Sequence, residues 1–229
     1  MSSLPRPDRR RAVRAAAPLC RSGRRAPAAA AALLLAAIAG LPVPAAATEG
    51  CVVVLHGLAR TARSMAPMAR ALEEAGYVTR NIDYPSREAP VATLAARTLP
   101  RALAACPADG PVHFVTHSMG GILLRRYLAD NALPRLGRTV MLAPPNQGTE
   151  VVDRLRDMPG FALWNGPAGL ELGTGPGSVP NRLGPFPGEL GIIAGSRSFN
   201  PLLSWLVPGP DDGKVAVPRT AVAGMDDFI

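Results

Sequence analysis

Short apolar runs alternate with segments of helical periodicity from residue 51 to residue 157, and this alternation restricts the fold more than any other feature of the chain. The apolar runs are continuous, as in strands that are buried on both faces of a sheet. Strands that alternate with helices predict an α/β fold, in which a mostly parallel sheet carries helices on both faces. We expect strands over 51–57, 78–85, 111–117, 138–145 and 189–198, and helices over 64–77, 89–106 (kinked or divided at Pro100), 118–131 and 148–157.

The alternation is interrupted at 158–189, which is rich in Gly and Pro and carries scattered large apolar residues such as Phe161 and Trp164. Long loops in compact domains are usually functional or disordered. Two interpretations stay open. Residues 158–188 form a lid over an active site, or they form a mobile surface loop.

The first 47 residues differ in composition from the rest of the chain. An arginine-rich stretch precedes an apolar segment at 26–40, and an A-x-A pattern follows at Ala45–Ala47. This order is typical of an export signal. We therefore expect a leader over 1–47, a mature start near Thr48 and one exported domain, periplasmic or secreted, over 48–229. An uncleaved leader that anchors the chain to a membrane is the alternative.

The net charge of +8 suggests a nucleic-acid ligand until the charges are located along the chain. Eight of the 25 basic residues but only one of the 17 acidic residues, Asp8, lie within 1–47, so the remainder is almost neutral. No basic patch is interleaved with aromatic residues, and we expect no nucleic-acid partner. The sequence also has no metal-ligand cluster and no phosphate-binding glycine motif, so we expect neither a metal nor a cofactor.

The segment FVTHSMGG, residues 114–121, places a serine between a predicted strand and a predicted helix. This is the context of a nucleophile elbow, a sharp turn that projects the serine hydroxyl above the sheet and needs small residues two positions away on either side. Gly120 meets that need, whereas Thr116 stands where glycine is usual. The context favours Ser118 as a catalytic nucleophile over an ordinary helix N-cap serine.

Two backbone N–H groups are candidates for stabilising an oxyanion next to this serine. The N–H of Met119 lies at the N-terminus of the predicted helix. The second should come from the turn after the first strand, where Gly57 allows the backbone of Leu58 to approach. His56 lies in the same turn and is expected to fix its shape. A plain strand-ending turn is the alternative.

With these residues the chain resembles the α/β-hydrolase superfamily, and within it the small secreted lipases and esterases of bacteria. The resemblance covers residues 50–229 and rests on VVVLHGL, VHFVTHSMGG, MLAPPNQGTEVVD and DDGKVAVP. It implies hydrolysis of a small-molecule or lipid ester through an acyl-Ser118 intermediate, with possible contact to a membrane surface. Acyl transfer to another alcohol is one alternative. A non-catalytic protein of the same fold, which binds a lipid or a partner, is the other.

The resemblance also implies a catalytic acid after a late strand and a histidine after the last strand. Asp212 matches the acid that is followed by valine, and Asp211 stays open as the alternative. A solvated turn aspartate would have the same local sequence.

The histidine is more difficult to assign, because the chain has only His56, His113 and His117. We expect none of them to be the base. In particular His117 should point away from Ser118, since neighbouring side chains at a strand end point to opposite sides. The final residues, VAGMDDFI, end where the last strand of the superfamily would begin. We therefore expect the last strand and helix, and the histidine with them, to be incomplete in this chain, with natural loss of activity as the rival interpretation.

Two further expectations follow from the resemblance. Cys51 begins the first strand and Cys106 precedes the third, and these strands are neighbours in the superfamily. A Cys51–Cys106 disulfide is therefore implied away from the active site, with Cα atoms within about 7 Å. The PPNQG segment at 144–148 either shapes the substrate cleft or forms a turn and a helix start.

Overall fold

The computed structural model describes residues 50–198 and 200–229 of the chain. Its strands form one sheet in the order β2-β1-β3-β4-β5-β6, and all neighbouring strands in it are parallel. This confirms the predicted α/β class and the predicted adjacency of the first and third strands. The strands are β1 (Cys51–Leu55), β2 (Val78–Ile82), β3 (Val112–His117), β4 (Leu136–Leu142), β5 (Leu190–Ile193) and β6 (Asp227–Phe228).

Helices fill most of the connections between the strands. A short 3₁₀ helix (Ala62–Met65) precedes α1. The α-helices of the described residues are α1 (Ala66–Glu74), α2 (Val91–Ala104), α3 (Met119–Asp130), α4 (Glu150–Leu155), α5 (Phe161–Leu170), α6 (Val179–Arg182), α7 (Pro201–Ser204) and α8 (Val217–Thr220). Pro100 does not divide the helix, because α2 continues through this residue, and a kink at this position stays a prediction. Burial of the apolar face of α2, which includes Leu94 and Leu99, outweighs the single backbone hydrogen bond that proline cannot donate.

The sheet has apolar side chains on both faces, as a sheet covered on both sides requires. Val53 and Leu55 of β1 belong to the large core that also contains the buried residues of α2 and α3. Val52 and Val54 point to the opposite face, where they pack with Met65. The strand β1 is therefore fully buried and central, and its carboxyl end lies beside that of β3.

The predicted disulfide is present between Cys51 and Cys106, whose Cα atoms are 5.8 Å apart. Cys51 lies opposite Val112 in the β1–β3 pairing, at the amino-terminal edge of the sheet. The cross-link is therefore at the opposite end of the strands from Ser118.

The segment 158–188, which was expected to form a lid or a mobile surface loop, is partly helical. The segment contains α5 and α6, and Ala168, Leu172 and Phe186 within it are buried. Two of its glycines fit the geometry of α5, which begins after Gly160 and bends at Gly166, whose φ is 66°. The lid function of this segment stays a prediction.

The predicted leader over 1–47 lies outside the described residues. Across 50–198 and 200–229, no helix combines the length and the hydropathy that crossing a membrane requires.

Candidate active site

Ser118 occupies a strained backbone conformation in the turn between β3 and α3. Its φ of 51° and ψ of −123° lie in a region that residues other than glycine rarely adopt. The N–H of Ser118 donates to the carbonyl oxygen of Leu142 at 2.8 Å, and its own carbonyl accepts from Gly121 at 3.0 Å. Strain of this kind persists only where the surroundings impose it, and it is concentrated at functional sites.

The tight packing around the turn explains the small residue at position 120. A methyl group on Gly120 would lie 2.8 Å from the carbonyl oxygen of His56 and 2.9 Å from that of Leu55. Both are backbone atoms at the end of β1, so they cannot rotate out of the way. Only glycine lets α3 pack this closely against β1 without displacing the backbone.

The turn after β1 lies directly against the Ser118 turn. A methyl group on Gly57 would lie 3.1 Å from Cβ of Ser118 and 2.9 Å from Nδ1 of His117. Leu58 lines the same cavity as Ser118, and the next residue, Ala59, has a left-handed φ of 53° and donates its N–H to Ser86 Oγ at 3.0 Å. This packing places the Leu58 backbone near Ser118, while Met119 begins α3 with an N–H that has no acceptor inside its helix.

His56 is completely buried and holds the β1 turn against β2. Its Nδ1 lies 2.9 Å from the carbonyl oxygen of Gly57, and Nε2 accepts the N–H of Tyr84 at 3.3 Å, which fits a neutral ring protonated on Nδ1. The Tyr84 hydroxyl donates to the carbonyl oxygen of His56 at 2.5 Å, and the two rings stack with centroids 4.1 Å apart. Burial lowers the pKa of His56, which favours this neutral form although Asp83 is nearby.

The two neighbouring aspartates have different surroundings. Asp212 lines the cavity of Ser118, and its Oδ1 accepts the N–H groups of Lys214 and Val215, both at 2.8 Å. Asp211 is buried and uses both carboxylate oxygens locally, one for the hydroxyl of Ser204 and one for the N–H of Gly213, both at 2.6 Å. The geometry therefore favours Asp212 as the acid that faces Ser118.

Asp212 is brought to the cavity by the end of β5. A methyl group on Gly195, two residues after that strand, would lie 2.8 Å from Cβ of Asp212. Since β3 and β5 are parallel, their carboxyl ends lie on the same edge of the sheet. Ser118 and Asp212 are 94 positions apart in sequence, yet the topology brings them to one cavity.

The side chains of the segment 146–150 attach the segment that follows Asp212. Thr149 donates its hydroxyl to the carbonyl oxygen of Lys214 and also caps α4 by accepting the N–H of Val151 at 3.1 Å. Further bonds run from Asn146 Nδ2 to the Thr220 carbonyl (2.8 Å), from Gln147 Nε2 to the Pro218 and Ala221 carbonyls (3.2 and 3.1 Å), and between Arg219 Nε and Glu150 Oε1 (2.8 Å). No local sequence pattern indicates this attachment. Both open interpretations of 144–148 apply in part, because Pro145 lines the cavity and α4 begins just after the segment.

Arg125 is a second residue that sequence analysis missed. It is buried in α3, and within the described residues it donates only to carbonyl oxygens, including the backbone and side-chain oxygens of Asn146 at 2.9 and 3.1 Å. Its other amino group donates to Pro180, Leu183 and Gly184. Burial lowers its pKa to about 10, so it remains a cation at neutral pH. Arg125 therefore links the segment 146–150 to the chain after α6.

His117 does not point away from the site, so that prediction was wrong. It lines the same cavity as Ser118 and Asp212. Alternation of side chains holds only while the backbone is extended, and the left-handed φ of Ser118 ends it at this position. Burial lowers the pKa of His117, and the carboxylate of Asp212 opposes this shift. His113, by contrast, accepts the N–H of Arg138 at 2.9 Å near the amino-terminal edge of β4.

The cavity has a volume of about 330 Å³ and a mostly apolar lining. Its polar lining includes Ser118, His117 and Asp212, together with Arg60, Thr149, Asn165 and Lys214, whereas the rest of its walls consists of aliphatic and aromatic side chains. These walls come from the β1 turn, α4, α5 and α7, through Leu58, Val151, Val152, Leu155, Phe161, Leu172 and Leu203. Such a site suits a ligand with an apolar chain and one reactive polar group.

Comparisons with known proteins identify the fold and the family. Three solved structures share the fold: the lipase BlEst2 of Bacillus licheniformis in its mature form (20% identity, TM-score 0.59, 80% of this chain and 84% of that one), the metagenomic carboxyl esterase MGS0156 (20%, 0.62, 82% and 65%) and the phospholipase PlaB of Legionella pneumophila (18%, 0.53, 75% and 45%). At these identities the likeness is one of fold. No curated protein sequence matches the chain. A family model described as the alpha/beta hydrolase family matches residues 52–227, and the chain belongs to that family.

Proposed function

We propose that this protein hydrolyses carboxylic esters through an acyl-Ser118 intermediate. The observation that carries the proposal is that Ser118, in its strained turn at the start of α3, faces the same apolar cavity as Asp212. The matching of solved lipases and esterases supports this class of reaction over others on the same fold.

In the proposed reaction, Ser118 Oγ bonds to the ester carbonyl carbon while its proton passes to an imidazole base. The carbonyl oxygen becomes an oxyanion that accepts the N–H groups of Leu58 and Met119. When the tetrahedral intermediate collapses, the C–O bond to the alcohol breaks and the base returns the proton to the leaving oxygen. Water then repeats the attack on the acyl-serine, which releases the carboxylic acid and restores the Ser118 hydroxyl.

Asp212 takes the role of the acid that orients the base. The N–H groups of Lys214 and Val215 fix Oδ1, whereas Oδ2 makes no hydrogen bond to the described residues. A carboxylate held in this way can accept the second N–H of an imidazole and stabilise the imidazolium that forms.

The base is proposed to be an imidazole that none of the three histidines of the sequence supplies in this structure. His56 uses both ring nitrogens in the β1 turn, and His113 is bonded near the other edge of the sheet. His117 lines the cavity, but within the described residues it hydrogen-bonds to neither Ser118 nor Asp212. The same resemblance that implies Ser118 and Asp212 also implies a histidine after the last strand.

Chemical rescue tests the proposal on the chain as it exists. An unassisted serine hydroxyl is a weak nucleophile, so p-nitrophenyl butyrate should be cleaved slowly. Added imidazole should raise the rate in the wild type above the rate in Ser118→Ala, whose rate measures the cleavage by imidazole in solution. Equal rates for the two proteins would overturn the proposal.

Matched variants test the acid and the base separately. Asp212→Asn should lower the rescued rate by about tenfold or more, since a carboxylate behind the base contributes up to ~10⁴ in a complete triad. Asp211→Asn should retain most of the imidazole-rescued rate, and circular dichroism checks that this variant is folded. If His117→Ala abolished activity that the wild type shows without imidazole, the proposed origin of the base would be wrong.

A further inference from the structure

Both tryptophans of the chain are largely exposed, which is unusual for the largest apolar side chain. Trp164 is 71% exposed and Trp205 is 78% exposed. Three more exposed apolar residues precede them in the same two segments of the sequence: Met158 (56%) and Leu163 (84%) before Trp164, and Leu202 (75%) before Trp205. We call these five residues the apolar rim.

The apolar rim belongs to the two segments that border the mouth of the Ser118 cavity. Helix α5 exposes Leu163 and Trp164, while its first residue, Phe161, lines the cavity. Helix α7 and the residue after it expose Leu202 and Trp205, while Leu203 lines the cavity. Each segment thus has one apolar side toward the cavity and another toward solvent, so apolar surface continues from the exterior to the nucleophile.

Cations lie next to this surface. Arg87 is exposed and its Nη1 donates to the carbonyl oxygen of Trp164 at 3.3 Å. Arg60 and Lys214 are exposed and line the Ser118 cavity. None of the three forms an ion pair with a described residue. The neighbouring groove, which Leu163 and Trp164 also line, contains two exposed acids. They are Glu88 and Asp83, and Asp83 accepts the N–H of Ala62 at 2.8 Å and lies 3.5 Å from His56.

We propose that the apolar rim inserts into the surface of an anionic phospholipid membrane, with Arg60, Arg87 and Lys214 against the lipid headgroups. Tryptophan is suited to this position, because its ring is apolar and its N–H can remain at the wet interface. Basic residues close to an anionic surface add attraction that salt screens. Insertion would bring acyl chains of the membrane directly to the cavity mouth. The purpose of membrane binding therefore rests on the proposed ester hydrolysis. The binding itself needs no catalysis.

Tryptophan fluorescence tests the inference on the full chain, since no tryptophan lies outside the apolar rim. Vesicles of equimolar phosphatidylcholine and phosphatidylglycerol should shift the emission to shorter wavelength, and brominated lipids should quench it. Trp164→Phe and Trp205→Phe each leave one reporter, and each reporter should show the shift. The basic residues of 1–47 could attach the chain to vesicles by themselves. Co-sedimentation with vesicles without any change in emission would therefore overturn the inference.

Charge variants test the choice of lipid. Arg60→Gln and Arg87→Gln should each weaken binding by about fivefold at low salt, as expected for one cation near an anionic surface. Arg138→Gln removes an equal charge at the other edge of the sheet and should have little effect. Equal shifts with pure phosphatidylcholine would overturn the anionic partner.

A dimer in sedimentation velocity whose tryptophans are already shielded would show that a second copy covers the rim. If Ser118→Ala matches the wild type in hydrolysis while the emission still shifts, the proposed function fails and this inference stands.

Discussion

The side-chain amide of Asn146 donates to the carbonyl oxygen of Thr220 at 2.8 Å, across 74 positions of sequence. The Thr149 hydroxyl likewise donates to the carbonyl oxygen of Lys214. These two bonds attach the residues that follow Asp212 in sequence to the turn after β4. The position of the acid therefore depends on a segment that does not itself take part in the proposed chemistry.

Replacing Thr149 by valine removes the hydroxyl with almost no change in shape. The variant loses the bond to Lys214 and the cap on Val151, so the free energy of unfolding should fall by about 1–2 kcal/mol. Amide hydrogen exchange at 212–216 should become faster. Thr149→Ser keeps the hydroxyl and should behave like the wild type. Unchanged exchange in the valine variant would show that other contacts hold the Asp212 segment.

Gly120 and Gly121 are adjacent in α3 but should respond differently to alanine. At position 120 the new methyl group meets backbone oxygens, so the free energy of unfolding should fall by about 2 kcal/mol despite the better helix propensity of alanine. At position 121 it comes within 3.0 Å of the Met141 sulfur, a flexible side chain that can move. Gly121→Ala should therefore change stability by less than about 1 kcal/mol. Urea unfolding of both variants measures the difference, and equal losses would contradict the packing described for Gly120.

Arg125 and Arg126 offer a similar comparison for charge. Arg125→Met leaves the carbonyl oxygens of Asn146 and of 180–184 without their donor inside the protein, at a cost of about 3 kcal/mol. Arg126 forms a half-exposed i,i+4 ion pair with Asp130, and Arg126→Met should cost less than about 0.5 kcal/mol. Thermal or urea unfolding distinguishes the two, and similar losses would mean that the buried guanidinium is less important than its hydrogen bonds suggest.

Two histidines, the buried His56 and the partly buried His117, should make stability fall in mild acid. Burial lowers the pKa of His56 and of His117 in the folded protein. Below the unfolded pKa of about 6.5, the unfolded chain binds protons that the folded protein does not, so the free energy of unfolding decreases as the pH falls. The urea midpoint should be constant above pH 7 and decline toward pH 5.5. His117→Asn should make the decline of the urea midpoint with falling pH less steep, because only the contribution of His56 is left. A wild-type midpoint that is independent of pH in this window would contradict the prediction.

The sequence was sufficient to predict the sheet and the main candidates of the site because these depend on local patterns. Continuous apolar runs predicted buried strands, and the strand-turn-helix context singled out Ser118. The choice between Asp211 and Asp212 could not be made in this way, since the two differ only in which carboxylate the loop turns toward the cavity.

The remaining differences have physical causes that a single sequence does not display. Helix α5 lies among glycines and prolines whose backbone angles fit its start and its bend, so composition alone indicated a loop. The orientation of His117 depends on the left-handed turn at the next residue. The contacts of Arg125 and of 146–150 join positions far apart in the chain, and only the assembled fold brings their donors and acceptors together.

The Cys51–Cys106 disulfide has a consequence for the order of events after synthesis. The chain has three cysteines, and the third, Cys20, lies within the predicted leader. While all three thiols share one polypeptide, three intramolecular pairings compete, and two of them must be reshuffled by thiol exchange. If the predicted leader over 1–47 is cleaved, only one pairing is left. A chain cleaved before it is oxidised would then need an oxidant but no disulfide isomerase.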